Sequence, residues 1–402
     1  MDVVRPGPAV RTRLEVPEDS LFGADNLPYG VFAPRGGEYR VGVRFGEFVI
    51  DLAAALDDSV FAASDLNAFL AQGPARWRAV RERVRELVSS EITTDAVHSL
   101  ADVTLALPVR IGDYVDFYAS IDHATNLGRL FRPDAEPLLP NWRHLPVGYH
   151  GRAGTVVVSG TEVVRPRGQR RTDSGVPDFG PSRRLDIEAE LGFVVGVGSS
   201  LGTPIDISEV EDHLFGVALV NDWSARDIQA WEYQPLGPFL GKSFATSLSA
   251  WVTPLAALDS ARIPLPEQTP PPLPYLSVDE PWGLDIELTV CWNGQVVSHP
   301  PYGRMYWSPA QMLAHMTANG AAARSGDLFA SGTISGPEAG QRGSFIELSW
   351  GGAEPVEVGG ERRTFLEDGD EVVITASARG VGGRRVGLGE VRGRVLPAGA
   401  RG

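Results

Sequence analysis

Two stretches of this 402-residue sequence hold side chains whose types and spacing could do chemistry. In "RLDIEAELGF", Leu185, Ile187, Ala189 and Leu191 alternate with Asp186, Glu188 and Glu190. A strand of period two turns the apolar set inward and puts the three carboxylates on one face, about 7 Å apart. Such a face is either solvated or a place where two acids converge on a hard divalent cation, which takes oxygen ligands. In "GVALVNDWSARDIQAWEY", the apolar run ends at Asn221 and Asp222, so Asp222 sits at a strand end, where loops carry function. If the next segment is helical, Asp222, Arg226, Gln229 and Tyr233 fall at i, i+4, i+7 and i+11, on one side. Several of these groups are expensive to bury without partners. That side is a solvated helix face, or a site wall with one anionic ligand and three groups able to hydrogen-bond an oxyanion or carboxylate.

"GDYVDFYASIDHATNLGRLFRP" adds Asp116, Tyr118, His123 and Arg132. His123 follows an acid and a tyrosine and precedes Asn126; it reads equally as a structural histidine or as a catalyst. "NWRHLPVGYHGRAG" crowds together Trp142, His144, Tyr149, His150 and Arg152, a mix too polar for a core strand. "PLGPFLGKSFATS", residues 235–247, holds Lys242, the only lysine among 36 lysine and arginine residues. An ammonium is a compact point charge and a guanidinium a planar fork. The lone lysine therefore marks a position that rejects arginine, or is an accident of composition. Spacing alone points to a divalent-metal enzyme acting on a small anionic substrate.

The elements that must position these groups are short. Gly and Pro number 46 and 31, too few for low complexity but enough for many turns, which predicts many short strands and few long helices. "YGVFAP", "EYRVGVRFGEFVIDL", "GTVVVSG", "LDIEAELGFVVGVG", "FGVALVND", "LDIELTVCWNG", "SFIELSW" and "DEVVITASA" all read as strands. One longer helix is predicted near residues 66–90, with Trp77, Val80, Val84 and Leu87 on its inner face. Capping boxes at Ser208–Glu211 and at Ser308 with Gln311 predict short helices, the second with Pro309 at its first position and a stop at Asn319 and Gly320. Residues 262–275 are proline-rich and read as a surface loop. The texture changes near residues 107–108, where a domain boundary is placed, giving segments 1–107 and 108–402.

A net charge of −15 argues against a nucleic-acid backbone as partner. The single cysteine, Cys291, excludes an intramolecular disulfide and reads as a small buried apolar residue. The first twenty residues show no apolar signal region, and no apolar run approaches 18 residues, so the expectation is a cytoplasmic protein with no membrane partner.

The motifs "DFYASIDHATNLG", "LLPNWRHLPVGYHGRAGTVVVSGT", "VNDWSARDIQAWEYQPLGPFLGKSFATSLSAWV", "ASGTISG" and "RVGLGEVRGRVLP", together with the acidic strand, closely resemble the fumarylacetoacetase family. The likeness runs in order from Asn26 to about Leu396. It implies a mainly β (α+β) fold: a small N-terminal SH3-like β-barrel domain (1–107) and a larger C-terminal mixed β-roll domain with the metal site (108–402). It implies a homodimer, a bound Ca²⁺ or Mg²⁺, and hydrolysis of 4-fumarylacetoacetate to fumarate and acetoacetate, the last step of tyrosine and phenylalanine breakdown. Residue by residue, the resemblance puts metal ligands at Asp116, Glu188, Glu190 and Asp222, and a general base at His123 oriented by Glu347. Arg226, Gln229 and Lys242 fall around the developing oxyanion. Tyr118, Arg132, Tyr149, Gln229, Tyr233 and Thr333 fall on substrate, and Lys242 and Thr246 lie behind the metal ligands. Asp186 is not a ligand in the family. Two departures concern loop shape: "VVSHPPYGRMYW" before residues 305–307 is short, and Ile121-Asp122 precede His123, where Asp122 either favours positive charge or caps the next helix. The alternatives are an acylpyruvate hydrolase or other diketo-acid hydrolase, whose members are typically shorter, and a binding protein that lost the chemistry, which retention of His123 and Glu347 opposes.

Overall fold

The computed structural model describes residues 10–399; residues 1–9, the start of the stretch read for a signal segment, and 400–402 lie outside it. The chain is mainly β, and its organising element is a 13-stranded sheet. From one edge the strands run Val97–Ser99, Phe48–Asp51, Arg40–Phe45, Tyr29–Pro34 and Trp251–Pro254. They continue through Leu214–Asp222, Ala189–Val195, Leu328–Ala330, Tyr114–Phe117 and Gly148–His150, while the other three strands, Val103–Ala106, Val156–Val158 and Thr246–Leu248, pair off this path. Among the described residues this is an open path, not a closed barrel. The N-terminal strand Tyr29–Pro34 pairs with Trp251–Pro254, Gly30 opposite Trp251, so the segments before and after residues 107–108 share one sheet. Glycine is required there: a Cβ on residue 30 would lie 2.6 Å from the Ala250 carbonyl oxygen and the Trp251 ring. A second, five-stranded sheet carries Val163–Val164, Arg385–Leu396, Glu371–Arg379, Ile286–Trp292 and Gln295–Ser298.

The central strands are buried on both faces, which explains their near-continuous apolar runs. Val217 and Leu219 enter one hydrophobic cluster, while Ala218 and Val220 enter the other. The same two-residue period divides Leu191, Phe193 and Val195 from Val194, and Val115 and Phe117 from Tyr114. On the face of Tyr114, Val194, Ala218 and Val220, the period brings out Asp116, Glu190 and Asp222.

Several expectations are corrected. The acidic strand is not continuous: Leu185–Asp186 pairs with Ser224–Ala225, and Ala189–Val195 pairs with Leu214–Asp222. The break at Ile187 and Glu188 arises because side chains take the backbone donors: Ile187 N–H bonds Asp186 Oδ1 (2.7 Å) and Glu188 N–H bonds Asn221 Oδ1 (3.3 Å). Its three acids are buried, not solvated. The helix after Asp222 begins only at Arg226 (Arg226–Glu232), so Asp222 belongs to the preceding strand. "SFIELSW" is no strand but a helical turn, Phe345–Leu348, whose first amides are held by a distant carboxylate described below. The long helix spans Pro74–Ser89, and its buried face is Val80, Arg81, Val84 and Val88, with Trp77 and Leu87 half-buried. Arg81 is admitted because its guanidinium donates to the Asn26 carbonyl at 2.7 Å. Asp206, not Ser208, caps the turn at residues 207–209, since its carboxylate accepts the Ser208 N–H at 2.9 Å. The Ser308–Gln311 capping box is present as read, with Pro309 opening the helix Pro309–Thr317. Asp122 caps nothing: Ser120 caps the helix Ile121–Phe131, and Asp122 pairs with Arg304 (3.1 Å). Cys291 is half-buried on a sheet strand. Among the described residues no helix is long and apolar enough to cross a membrane.

Candidate active site

His123 sits in the first turn of the helix Ile121–Phe131, where Ser120 Oγ accepts its backbone N–H at 3.2 Å. Its buried ring places Nδ1 2.7 Å from Glu347 Oε2. Glu347 is further held by Asn126 Nδ2 (2.9 Å), Ser335 Oγ (3.0 Å) and Ser344 Oγ (2.7 Å). Burial raises the Glu347 pKa, but His123 and these hydrogen bonds outweigh it and hold the carboxyl below its usual range. An ionised carboxylate only accepts, so Nδ1 carries the proton and Nε2 is left as the accepting nitrogen.

Asp116, Glu190 and Asp222 bring a carboxylate oxygen each within 4.8 Å of one another. Asp116, one residue before the end of its strand, stands opposite Tyr149, and Asp222 stands opposite Thr246, whose Oγ1 reaches Asp222 Oδ1 at 3.3 Å. Glu190 is fully buried and neither of its oxygens has a hydrogen-bond partner. Burial, with Asp116 and Asp222 adding repulsion, pushes its carboxyl well above the usual range. Two orphaned oxygens inside an all-carboxylate cluster suit a hard divalent cation such as Ca²⁺ or Mg²⁺ better than a sulfur- or nitrogen-seeking metal. Glu188 faces elsewhere: Oε1 accepts from Arg226 Nη1 (2.7 Å) and Oε2 from Lys242 Nζ (2.6 Å). Burial opposes its ionisation, but Lys242 and Arg226 prevail and hold it well below the usual range. Lys242, also buried, donates to Asp222 as well, and Asp222 and Glu188 keep it firmly protonated against the effect of burial.

A cavity of about 450 Å³ opens onto this ground. Asp116, Tyr118, His123, Arg132, Tyr149, Glu188, Arg226, Gln229, Tyr233, Lys242 and Thr333 line it; Glu190, Asp222, Thr246 and Glu347 are not in its wall. Arg226 Nη2 and Thr333 Oγ1 are buried without a protein partner. The Gln229 Oε1 accepts from Arg226 Nη1 at 3.2 Å, so its amide donors remain. The Tyr149 hydroxyl donates to Asp116 Oδ2 (2.9 Å) and accepts from Arg152 Nη1 (2.7 Å). Arg132 Nη2 donates to the Pro137 carbonyl (2.7 Å), and Tyr233 stands half-exposed at the mouth of the cavity.

Sequence reasoning missed Arg152 as a site residue. Its Nη2 lies 3.0 Å from Asp116 Oδ2 and 2.5 Å from Asp222 Oδ2, so it ties together two of the three clustered acids. The one available signal was its place in the unusually polar "GYHGRAG" run. Asn126 was noted beside His123 but not as a partner of Glu347, and Ser335 and Ser344, which also anchor Glu347, were missed for lack of any spacing signal.

The cluster has a pH signature. Burial raises Asp116, Arg152 lowers it and Asp222 raises it again, leaving its carboxyl at about 6. A raised carboxyl holds its proton below that pH, and a cation needs the carboxylate. Apparent Ca²⁺ affinity is therefore expected to rise with pH through about 6, with protons released on binding in mildly acid buffer. Calorimetry in buffers of different ionisation enthalpy checks this, and an affinity that is flat between about pH 5 and 7 contradicts it.

Residues 25–108 match the model described as fumarylacetoacetase N-terminal, and residues 114–396 match fumarylacetoacetate (FAA) hydrolase C-terminal. The fumarylacetoacetases of rat and human are 47% and 48% identical over 413 residues, covering 96% of this chain and 98% of each relative. That of Caenorhabditis elegans is 47% identical, covering 97% of this chain and all of the relative. Among solved structures, a fumarylacetoacetate hydrolase from Exiguobacterium antarcticum superposes with TM-score 0.58 at 17% identity, over 92% of this chain and 99% of that one. A maleylpyruvate hydrolase from Sphingobium gives 0.53 at 16%, over 92% and 100%. At these identities the two structures speak for the fold alone.

Proposed function

The chain belongs to the fumarylacetoacetate hydrolase family, and from that premise we propose that it hydrolyses the carbon–carbon bond of 4-fumarylacetoacetate, giving fumarate and acetoacetate at the end of tyrosine and phenylalanine breakdown. The observation that carries the reading is the pairing, around one cavity, of a carboxylate-oriented histidine with an oxygen-only cluster of buried acids. Identity of 47% along nearly the whole length of rat fumarylacetoacetase supports this substrate over a shorter acylpyruvate.

Breaking a β-diketone with water requires a base for the water and a sink for the departing carbanion. His123 Nε2 takes the water proton while Glu347 stabilises the imidazolium through Nδ1. The hydroxide attacks the carbonyl, and the tetrahedral oxyanion needs donors. Arg226 Nη2 has no protein partner, the Gln229 amide is free to donate, and Lys242 uses two of its three N–H bonds on Glu188 and Asp222. When the carbon–carbon bond breaks, the imidazolium returns the proton to the leaving carbon, and the new carboxylic acid ionises to fumarate, so one proton is released per turnover. A divalent cation, Ca²⁺ or Mg²⁺, would be held by Asp116, Glu190 and Asp222 with Glu188 beside them, and when bound would supply Lewis-acid stabilisation for the departing enolate. Arg132, Tyr118, Tyr149, Tyr233 and Thr333 hold the substrate, and Thr246 supports Asp222 from behind.

The same reading includes a cytoplasmic homodimer and an SH3-like N-terminal unit beside a β-roll. Leu236 and Phe239, 95% and 69% exposed on the loop beside the cavity, suit burial against a second copy. The test is direct: metal-loaded protein should bleach the ultraviolet absorbance of fumarylacetoacetate and release fumarate stoichiometrically. No turnover of that substrate, with rapid turnover of an acylpyruvate, would overturn the assignment.

A further inference from the structure

Asp186 is fully buried, lines no part of the reaction cavity, and yet binds four donors. Its Oδ1 accepts the N–H groups of Ile187 (2.7 Å) and Phe345 (2.7 Å). Its Oδ2 accepts Ile346 N–H (3.0 Å) and Arg226 Nε (2.7 Å). A carboxylate offers about four lone-pair sites, so Asp186 is saturated and has none left for a cation. This separates it from Glu190, four residues along the chain, whose oxygens have no partner.

One donor, Ile187 N–H, is the chain neighbour of Asp186, and the other three come from two parts of the machinery. Phe345 and Ile346 open the helical turn Phe345–Leu348 that carries Glu347. A four-residue turn has orphan amides at its start and little stability of its own. Its capping residue, Ser344, makes no side-chain cap bond and donates to Glu347 instead. Asp186, some 160 positions earlier in the chain, does the capping. The third of these, Arg226, opens the helix Arg226–Glu232 and reaches Asp186 because Leu185–Asp186 pairs with Ser224–Ala225. The charge of Asp186 thus faces three backbone amides and a guanidinium, which shares Oδ2 with the Ile346 amide.

We propose that Asp186 is a positioning residue that sets the Glu347 turn and the Arg226 guanidinium in one register. Through it, the carboxylate that orients His123 and the cation beside the oxyanion are placed by a single group. This rests on the hydrolase reading for its kinetic consequences and on geometry alone for the anchoring.

The experiment therefore has two readouts. Asp186→Asn keeps the shape but puts an NH₂ where one pair of donors needs an acceptor, so the turn or the guanidinium loses its hold. Hydrogen exchange across residues 341–350, which needs no substrate, should become faster in the variant while the rest of the protein keeps its protection. Calorimetric Ca²⁺ affinity should match wild type, because Asp186 is not a ligand. With fumarylacetoacetate, kcat should fall about 10²-fold with little change in KM, as expected for misplaced catalytic groups. The acid limb of the pH–rate profile should move. In a double-mutant cycle with Glu347→Gln, the combined loss should be well below the product of the single losses. Unchanged exchange in 341–350 overturns the anchor. Faster exchange with unaltered kcat and pH profile, or losses that multiply fully, overturns the catalytic positioning. If Asp186→Asn does not fold, Asp186→Glu, which keeps the charge opposite Arg226, is measured by the same two readouts. Absence of wild-type turnover would instead strike the hydrolase reading, and the exchange result would still decide the anchor.

Discussion

Replacing His123 with alanine should lower kcat by about 10²–10⁴-fold, the usual worth of a positioned proton acceptor. The residue is well placed for that role. Its backbone is capped by Ser120, Nδ1 is 2.7 Å from Glu347, and Tyr118 packs edge-on against the ring. Glu347 in turn accepts from Asn126, Ser335 and Ser344, so the carboxylate cannot swing away. The alanine variant should retain Ca²⁺ binding, since the clustered acids are Asp116, Glu190 and Asp222. Steady-state kinetics together with calorimetry separate loss of the base from loss of the metal. A variant that binds Ca²⁺ normally and keeps more than about a tenth of wild-type kcat would remove His123 from the mechanism.

Lys242→Met and Lys242→Arg should both lower kcat by about 10²–10³-fold, the cost of one oxyanion donor. For methionine the reason is charge, because Glu188 and Asp222 each lose a partner in a buried site. For arginine the reason is shape. Guanidinium groups already flank the position, Arg226 on Glu188 Oε1 and Arg152 on Asp222 Oδ2. The backbone cannot retreat to make room. Ala225 N–H bonds the Gly241 carbonyl at 2.8 Å, and a Cβ on residue 241 would meet the Gln229 backbone nitrogen at 2.8 Å. A planar fork introduced there would push apart the two carboxylates that an ammonium joins. Circular dichroism should show both variants folded, with kcat affected more than KM because the donor acts in the transition state. A fully active arginine variant would make the lone lysine an accident of composition.

Much of this protein was legible as one-dimensional pattern. The runs around Val217 and Phe193 read as strands because sheet periodicity is local, and the Ser308–Gln311 cap because a capping box spans four residues. The helical turn at Phe345–Leu348 was not legible. An aromatic and a β-branched residue followed by Glu347 and Leu348 look like a strand, and the acceptor that makes the turn helical is Asp186. The break in the acidic strand failed for a similar reason: side-chain acceptors, invisible to periodicity, replaced the ladder.

By itself the sequence determined which chemical groups exist, the family to which their motifs belong, and the alternation that lets carboxylates leave one sheet face. It could not determine what each carboxylate touches. Asp186, Glu188 and Glu190 are equivalent by spacing, yet one is saturated by amides and a guanidinium, one pairs with Arg226 and Lys242, and one has no partner. That division follows from long-range register. Antiparallel pairing sets Glu190 opposite Val220 and brings Asp222 in beside it, while parallel pairing of Tyr114–Phe117 with Leu328–Ala330 delivers Asp116 to the same face. Arg152 entered the site only because the strand Gly148–His150 closes that sheet edge over Asp116. A buried charge takes its state from the partners within a few ångströms, and only the folded sheet decides which those are.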